Sequence, residues 1–432
     1  MNKKQSNKMR EMKDSGISWV GEIPKEWRCL PIRALFTENR NKNFLGKETK
    51  ALQFKYGTIV PKKNFDPEEN YVAETILNYN IVDRGMIMLN GLNLNFDFVS
   101  KRVALVAERG IITSAYMSFY PTDTTIVLSE YANYLLKSYD NCAAFHNMGG
   151  GVRKILNFDE LKRQYFVLPP FAEQRRIAEF LDRECGKIDG LKADIQAQID
   201  TLEQYKRSVI TEAVTHGLNP SAPRKDSGIP WVGEIPAKWA VLPIYCVYGE
   251  RKRKNVFGTE QNLLSLSYGR VIRKDINTNG GLLPSNYNGY NIIEKNDIII
   301  RPTDLQNDRT SLRTGLVKEH GIITSAYIAL KPKNRVSSKF YHYLLHSYDV
   351  KKVFYNMGNG VRQGLNYGEF AKLMVYYPPL DEQQEIADYL DNKCAEIEQI
   401  IADKKSQIET LDGYKKSLIY EYVTGKKEVY YV

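Results

Sequence analysis

Apolar residues in two long segments of the chain recur at spacings of three, four or seven residues. In the first segment, which follows Pro169-Pro170, they fall at Ile177, Leu181, Ile188, Leu191, Ile195 and Leu202. In the second segment, which follows Pro378-Pro379, they fall at Ile386, Leu390, Ile397, Ile401, Ile408 and Leu411. This spacing is typical of a coiled-coil helix, and a proline pair ends the preceding element so that a new helix can start. The pattern predicts two long helices.

Each of these narrow apolar stripes needs a partner, because on an isolated helix it would remain exposed to water. Two matching stripes in one chain favour an internal antiparallel pair in which each helix covers the other. Two separate surface helices and a homodimeric zipper are the alternatives.

The segments between the helices have the pattern of strands joined by turns. Short apolar runs, such as "RGMIMLN" from Arg84 and "NDIIIRP" from Asn296, alternate with Gly, Asn and Pro. A tyrosine-rich run near the end of each segment, from Tyr131 or Phe340, predicts one short helix. The predicted fold class is α+β, with two mixed α/β globules in tandem, separated by the two long helices as an antiparallel coiled coil.

The chain is a repeat of one unit. "DSGISWVGEIPKEW" from Asp14 returns as "DSGIPWVGEIPAKW" from Asp226, and "GIITSAY" from Gly110 returns from Gly321; the copies lie 209 to 212 residues apart throughout. The repeat predicts pseudo-twofold symmetry. The predicted organisation is a basic extension, first globule, first helix, linker, second globule, second helix and tail, at 1–13, 14–168, 169–215, 216–225, 226–377, 378–424 and 425–432.

Composition narrows the functional classes. Apolar residues make up 43% of the 432 residues and charged residues 26%, which is typical of folded domains. The formal charge of +10 fits a polyanionic partner such as nucleic acid. No apolar run approaches the ~20 residues of a membrane span, and the start lacks the apolar stretch of a signal peptide, so we expect a cytoplasmic protein with no membrane partner. The five cysteines form no CxxC pair, so neither a disulfide framework nor a zinc site is predicted.

Two motifs, each present twice, resemble a known family. They are "WVGEIP..W" from Trp19 and Trp231, and "PP(F/L).EQ..IA.(F/Y)LD" from Pro169 and Pro378. Together with the alternation of globules and long helices, they resemble the specificity subunit of a Type I restriction-modification system. The resemblance covers essentially the whole chain.

The resemblance implies a function in DNA recognition. Each globule would be a target recognition domain that reads one half of a bipartite double-stranded DNA site, and the helices would set the spacer. The subunit itself would be non-catalytic and would bind no cofactor. It would bind two adenine-N6 methyltransferase (modification) subunits. A motor and nuclease (restriction) subunit would then join this complex. S-adenosylmethionine, ATP and Mg²⁺ would be bound by those partner subunits.

Motifs for catalysis or metal binding are absent from the sequence. Both Pro-Pro pairs follow Leu168 or Tyr377, so neither forms the [ND]-P-P-[YF] motif of adenine methyltransferases. The glycine-rich "MGGGVRK" and "MGNGVRQ" lack the Lys-Ser/Thr pair of a phosphate-binding loop. His342 and His346 have helical spacing but no HExxH motif, and surface positions are the prediction for both.

Comparison of the two globules separates shared scaffold from variable loops. The loop "NGLNLNFDFVSKR" from Asn90 corresponds to "RPTDLQNDRTSLR" from Arg301, and "YGTIVPKK" from Tyr56 to "YGRVIRKD" from Tyr268. Arg can bond bidentately to guanine, and Asn or Gln to adenine. The candidates for reading bases are therefore Asn93, Asn95, Arg270, Arg301, Gln306 and Arg309. The candidates for holding the DNA backbone are Lys101, Arg102, Arg153, Lys154, Arg273, Arg313 and Arg362.

Other interpretations stay open. Any single candidate could be an ordinary surface residue or part of an intramolecular ion pair. The whole chain could be a free-standing bivalent DNA-binding regulator, which would bind its site without a methyltransferase. It could also be a scaffold without DNA affinity.

Overall fold

The computed structural model describes residues 10–66, 75–150, 152, 154–275, 287–305, 312–333, 335–357 and 364–429. The chain divides into two compact units, Met1–Ile195 with Ser406–Val432, and Gln196–Lys405. The first unit therefore combines the beginning and the end of the chain. The second unit is continuous in sequence.

Six α-helices lie in the described residues. The two long ones, α3 and α6, contain 46 and 44 residues, and both follow a proline pair as the sequence predicts. The helices are α1 Ser129–Asn141, α2 Phe158–Leu161, α3 Phe171–His216, α4 Ser338–Val350, α5 Tyr367–Phe370 and α6 Leu380–Val423.

Twelve short strands lie in the described residues of the first unit. They are β1 Met12–Asp14, β2 Glu22–Pro24, β3 Arg28–Pro31, β4 Phe36–Glu38, β5 Leu52–Lys55, β6 Thr58–Pro61, β7 Asn80–Val82, β8 Ile87–Leu89, β9 Val103–Leu105, β10 Gly110–Ile112, β11 Met117–Pro121 and β12 Tyr165–Leu168. An antiparallel sheet in the order β4-β11-β8-β9 forms its centre, and the remaining strands form two-stranded pairs.

The second unit repeats this topology, with the central order β16-β23-β20-β21. Its strands are β13 Arg224–Asp226, β14 Glu234–Pro236, β15 Ala240–Pro243, β16 Tyr248–Glu250, β17 Leu264–Ser267, β18 Arg270–Arg273, β19 Asn291–Ile293, β20 Ile298–Ile300, β21 Thr314–Leu316, β22 Gly321–Ile323, β23 Ile328–Pro332 and β24 Met374–Tyr377. The repeat in the sequence is thus a repeat of the fold, and the α+β class is confirmed.

The long helices pair antiparallel within each unit. In the first unit, Asp189 accepts from Lys415 at 2.6 Å, and Lys192 forms an ion pair with Asp412. A later residue of α3 therefore contacts an earlier residue of α6, as it must when two helices run in opposite directions. In the second unit, Gln198 meets Lys404 and Lys206 meets Glu398, again in opposite order. The pairing confirms the antiparallel coiled coil.

The apolar stripes are mostly placed as the sequence predicts. Four predicted positions in α6 and three in α3 are buried, namely Ile177, Leu181, Ile188, Ile386, Leu390, Ile397 and Ile401, and Leu411 is half-buried. Ile195, Leu202 and Ile408 are also half-buried.

Leu191 departs from the predicted stripe, because its side chain is 53% exposed. The stripe of α3 continues from Ile188 by a step of four to the half-buried Lys192, and then to Ile195 and the buried Ile199. Lys192 can occupy this position because its aliphatic stem packs while its ammonium reaches Asp412. From Ile188, a step of three to Leu191 and a step of four to Lys192 are both compatible with coiled-coil spacing. Hydrophobicity alone favoured Leu191, but Lys192 occupies the covered position.

The repeated opening segments anchor each globule to the start of a long helix. The buried Trp27 donates its indole N–H to Glu173 at 2.9 Å, and Trp239 does the same to Glu382 at 3.0 Å. The N-terminal stretch is held at the same place, since Arg10 pairs with Glu173 at 2.7 Å. The Trp and Glu of the two repeated motifs are therefore bonded to each other.

The glutamine of the same motif ties the globule to its helix. Gln174 is fully buried, accepts from the backbone N–H of Leu128 at 2.9 Å, and donates to the carbonyls of Ile126 and Pro169 at 2.9 Å. Gln383 accepts from Ser337 and donates to Pro378 in the second unit. A buried amide with all these bonds satisfied stabilises one arrangement of helix and globule.

Replacing Gln174 with Met should destabilise the first unit. Methionine has a similar volume, but it leaves one buried N–H and two carbonyls without their partner, each worth about 1–3 kcal/mol. We expect the free energy of unfolding in urea to fall by roughly 2–4 kcal/mol. The control is Gln204→Met on the exposed face of α3, where we expect a change below about 0.5 kcal/mol. Equal effects of the two substitutions would contradict the assignment.

Candidate nucleic-acid interface

One variable loop in each unit connects neighbouring strands of the central sheet. In the first unit, residues 90–102 join β8 to β9; in the second, residues 301–313 join β20 to β21, with 306–311 outside the described residues. The flanking strands are paired in register, so both ends of each loop are fixed. The two loops are presented by the same scaffold.

A buried arginine organises the loop of the first unit. Arg102 is 0% exposed, and its guanidinium donates to the carbonyls of Asn90 at 3.1 Å, Leu92 at 2.8 Å and Asp97 at 2.5 Å. Its own backbone N–H donates to the carboxylate of Asp140 at 2.7 Å. The five N–H groups of arginine form a rigid fork, which suits several carbonyls of one loop.

The second unit has the same arrangement. Arg313 is also 0% exposed, and it donates to the carbonyls of Arg301 at 3.3 Å, Thr303 at 2.7 Å and Asp304 at 3.1 Å. Its guanidinium lies 5.0 Å from the ring centre of Tyr355. The prediction that Arg102 and Arg313 hold the DNA backbone is therefore wrong: both are buried in the protein and position the loop from below.

The loop of the first unit also rests on the glycine-rich turn that follows α1. Leu94 donates its N–H to the carbonyl of Lys154 at 3.1 Å, and the amide of Asn95 donates to the carbonyl of Val152 at 2.9 Å. Gly91 lies so close to the carbonyl of Leu156 that an added Cβ would stand 2.1 Å from its oxygen. The structure thus brings Asn93, Asn95 and Lys154 together.

These neighbours have different roles in the described geometry. Asn93 is exposed and adopts a left-handed φ of 53°, which presents its side chain at the loop surface. Asn95 is half-buried, and its amide is engaged with the turn, so its side chain does not fit the predicted base-reading role. Lys154 is half-buried at the edge of the turn.

The β5–β6 and β17–β18 hairpins place a tyrosine beside each loop. Tyr56 is 81% exposed and Tyr268 is 88% exposed, and both have positive φ at the tip. A Cβ at Gly57 would lie 2.8 Å from Cβ of Lys101, so this tip contacts the end of the loop, and only glycine allows that approach. Sequence reasoning missed both tyrosines, although the dipeptide Tyr-Gly is shared by both copies.

The remaining candidates lie near these hairpins or beyond the described chain. Lys101 is exposed, and Arg301 is half-buried at the start of its loop. Arg270 pairs with Glu398 at 3.0 Å, and Arg273 pairs with Glu319, both on the surface. Exposed ion pairs of this kind contribute little to folding stability, so a DNA phosphate can replace the carboxylate as the partner of the arginine. Four candidates lie outside the described residues: Arg153, Gln306, Arg309 and Arg362.

The two histidines of α4 are half-buried rather than on the surface. His342 and His346 lie one helical turn apart, with ring centres 6.4 Å from each other. Burial lowers the pKa of His342 to about 3, and burial with nearby Lys206 and Arg207 lowers the pKa of His346 to about 4. Both imidazoles are therefore neutral at pH 7.

The described residues contain no group of three or more His, Cys, Asp and Glu side chains arranged to hold a metal ion. Among the helices in the described ranges, none is both long and apolar enough to cross a membrane.

The profile of the family "Type I restriction modification DNA specificity domain" matches residues 102–201 and 252–410, which is more than half of the chain. The chain belongs to this family. It is a Type I specificity subunit, and the two matches fall in the two repeats.

Curated specificity subunits are similar over much of their length. The putative type I restriction enzyme MjaX specificity subunit of Methanocaldococcus jannaschii is 21% identical over 425 residues, covering 95% of this chain and 96% of that protein. The type I restriction enzyme StySPI specificity subunit of Salmonella potsdam is 23% identical over 266 residues, covering 60% of this chain and 57% of that protein.

A solved structure shares the fold. It is described as "Structural basis underlying complex assembly and conformational transition of the type I R-M system", and it matches with a TM-score of 0.67 at 13% identity, covering 94% of this chain and 99% of that one. This specificity subunit therefore has the same fold as that solved structure.

Replacing Arg102 with Gln should loosen the first loop without unfolding the unit. The shorter side chain cannot reach three carbonyls, which leaves buried acceptors unpaired at about 1–3 kcal/mol each. We expect hydrogen exchange at the amides of Leu94 and Phe96 to become at least roughly tenfold faster, while exchange in β8 and β9 stays slow. Arg109→Gln, which removes an exposed arginine of the same unit, is the control. Unchanged loop exchange in Arg102→Gln would show that the arginine does not organise the loop.

Stability of the second unit should fall in mild acid because of its two histidines. Their pKa values are lower in the folded chain than the ordinary 6.5, so the unfolded chain takes up protons first. Their contribution is complete above pH 6.5 and is lost as pH falls towards 4. At pH 5 we expect wild type to lose about 4 kcal/mol more, relative to pH 7, than the double variant His342→Asn/His346→Gln, about 2 kcal/mol for each histidine. The measurement is urea unfolding at both pH values; parallel losses would contradict the prediction.

Proposed function

We propose that this specificity subunit reads a bipartite DNA target, with one half-site for each recognition domain at residues 14–168 and 226–377. The observation that carries the proposal is the paired loop and arginine: two copies of one scaffold, each with a buried arginine at the same place, present two different loops. Identical framework with different loop chemistry suits two different half-sites. The loops and hairpin tips offer Asn93, Tyr56 and Lys101 in one unit and Arg270, Arg273 and Tyr268 in the other for contacts to bases and phosphates.

The long helices would set the spacer between the half-sites. Helices of 46 and 44 residues are about 69 and 66 Å long. Residues 171–195 of α3 belong to the first unit and residues 196–216 to the second, so the number of helical residues would determine the spacer. The pseudo-twofold symmetry predicted from the repeat would give this spacer two equivalent ends.

The subunit would also dock two adenine-N6 methyltransferase subunits and, through them, the motor and nuclease subunits. A duplicated surface supports two equivalent seats: the loops with exposed Phe44 and Leu45 in one unit, and with exposed Val256 and Phe257 in the other. Buried Asn43 and Asn255 hold these loops through the same bonds to the backbone of Glu48 and Glu260. S-adenosylmethionine, ATP and Mg²⁺ would bind in the partner subunits, and this chain would be non-catalytic and would act in the cytoplasm.

Exchange of one recognition domain tests the proposal. The chain is co-expressed with its methyltransferase subunit in a host without other modification, and N6-methyladenine is mapped by long-read sequencing. Wild type should give one split motif, absent when this chain is omitted. Replacing residues 226–376 with another recognition domain should change one half of that motif, because the first loop and its arginine are untouched.

The matched exchange of residues 14–167 should change the other half alone. Changes in both halves from a single exchange would contradict one half-site per domain. Methylation in wild type that does not depend on this chain would contradict the proposed function altogether.

A further inference from the structure

A groove of about 390 Å³ lies in the first unit beside the hairpin tip. Its walls are the tip at Tyr56, the end of the variable loop at Lys101, helix α1, and the paired parts of α3 and α6 that belong to this unit. The groove therefore begins where the predicted DNA-contacting loop ends.

The carboxylates that line the groove are all bound to donors. Asp140 accepts from the backbone N–H of Arg102 at 2.7 Å, and Asp182 accepts from the hydroxyl of Tyr134 at 2.7 Å. Asp189 accepts from Lys415 at 2.6 Å, and Asp412 pairs with Lys192. The thiol of Cys185 and the hydroxyl of Tyr134 have pKa values raised by burial, so they add no negative charge near neutral pH.

Lysines give the groove its charge. Lys137, on α1, is largely enclosed, and in the described part of the chain no carboxylate forms an ion pair with it. Its pKa is lowered to about 8 by burial and by the neighbouring charges of Lys415 and Lys101. Lys101 and Lys416 are exposed at the rim. Lys101, Lys137 and Lys416 thus line the groove with no ion pair to a carboxylate among the described residues, whereas Asp140 and Asp182 accept only from neutral donors and keep their negative charge.

We propose that this groove binds one phosphate group of the DNA backbone, held by Lys101, Lys137 and Lys416 next to the first half-site. The inference rests on the proposed function and extends it to a contact outside the variable loop. A phosphate would give these three lysines an anionic partner, because its oxygens can accept from several ammonium groups. A DNA phosphate is favoured over a free anion because the groove adjoins the hairpin tip and the loop at Lys101.

The second unit lacks the equivalent site. In the corresponding groove, of about 790 Å³, Leu312 stands in the place of Lys101 and His346 in the place of Lys137. Of the other cations that line it, Lys206 and Arg270 are paired with Glu398 and Lys339 with Asp391, and Lys318 is exposed. The phosphate contact is thus specific to the first half-site, and His346 provides a control position within the same chain.

The test measures binding of the complex with its methyltransferase to a duplex that contains the mapped motif, as a function of KCl concentration. Each phosphate contact contributes about 0.9 to the slope of log K against log salt. We expect Lys137→Gln to lower the magnitude of the slope by about 0.9 and the affinity at low salt by roughly fivefold. Lys137→Arg should retain both, and His346→Gln should match wild type. An unchanged slope in Lys137→Gln would overturn the proposal.

Dependence on pH gives a second readout. Phosphate stabilises the charged ammonium, so the pKa of Lys137 rises on binding, and affinity should decrease as pH rises above about 8 in wild type but not in Lys137→Gln. Other groups of the groove, including Lys101, Lys415 and Lys416, are the same in both proteins. Parallel pH profiles would contradict the assignment.

Two further outcomes separate the causes of failure. Binding of inorganic phosphate to wild type but not to Lys137→Gln, detected by phosphorus NMR, with equal DNA slopes, would show a free-anion site and refute the DNA contact. Failure of the proposed function is different: wild type and every variant would then show no preference for the motif. Unfolding curves that match wild type establish that Lys137→Gln is folded.

Discussion

Each long helix depends on the other helix and on a globule, because its apolar stripe is buried in a core to which both contribute. The antiparallel pairing satisfies this constraint in both compact units, with Ile188 and Leu181 covered in one and Ile386 and Leu390 in the other. The globules are attached to this pair by buried polar contacts, a Trp–Glu bond and a glutamine that satisfies three backbone groups. A buried bond that is expensive to break specifies one arrangement, whereas apolar contacts alone would permit sliding.

The second recurring device is the buried arginine below each variable loop. Arg102 and Arg313 each donate to three backbone carbonyls of the loop, and Arg313 donates in addition to the hydroxyl of Tyr355, outside the loop. Because every residue type has the same carbonyl, the loop can change its side chains while its support is unchanged. This separation explains how one scaffold presents Asn93 in one copy and Arg301 in the other. A specificity domain needs such a separation, since new targets require new side chains on an unaltered frame.

Much of this architecture can be predicted from the sequence, for a physical reason: a repeat of some 210 residues, helical spacing and proline pairs are all local in the chain. The predictions that were wrong concern side chains whose environment depends on tertiary structure. Leu191 is exposed because Lys192, with an acidic partner from the other helix, takes the covered position. Arg102 and Arg313 look like surface cations beside a polar loop, and only the packed structure shows their carbonyl partners. Their identity in both copies fits a DNA-backbone contact as well as a structural role, so the sequence could not decide between the two.

The composition of the first compact unit has a consequence for how the protein is made. Residues 406–429 complete that unit, and Tyr131 in its core donates to the carbonyl of Val423 at 3.0 Å. The second unit, by contrast, needs only residues 196–405, so a nascent chain can finish it while the last turns of α6 are still inside the ribosome. The domain that is synthesised first is therefore the one that is completed last, and a chain that stops early loses the covering helix of its N-terminal half. The first unit can therefore close only after residues 406–429 have been synthesised.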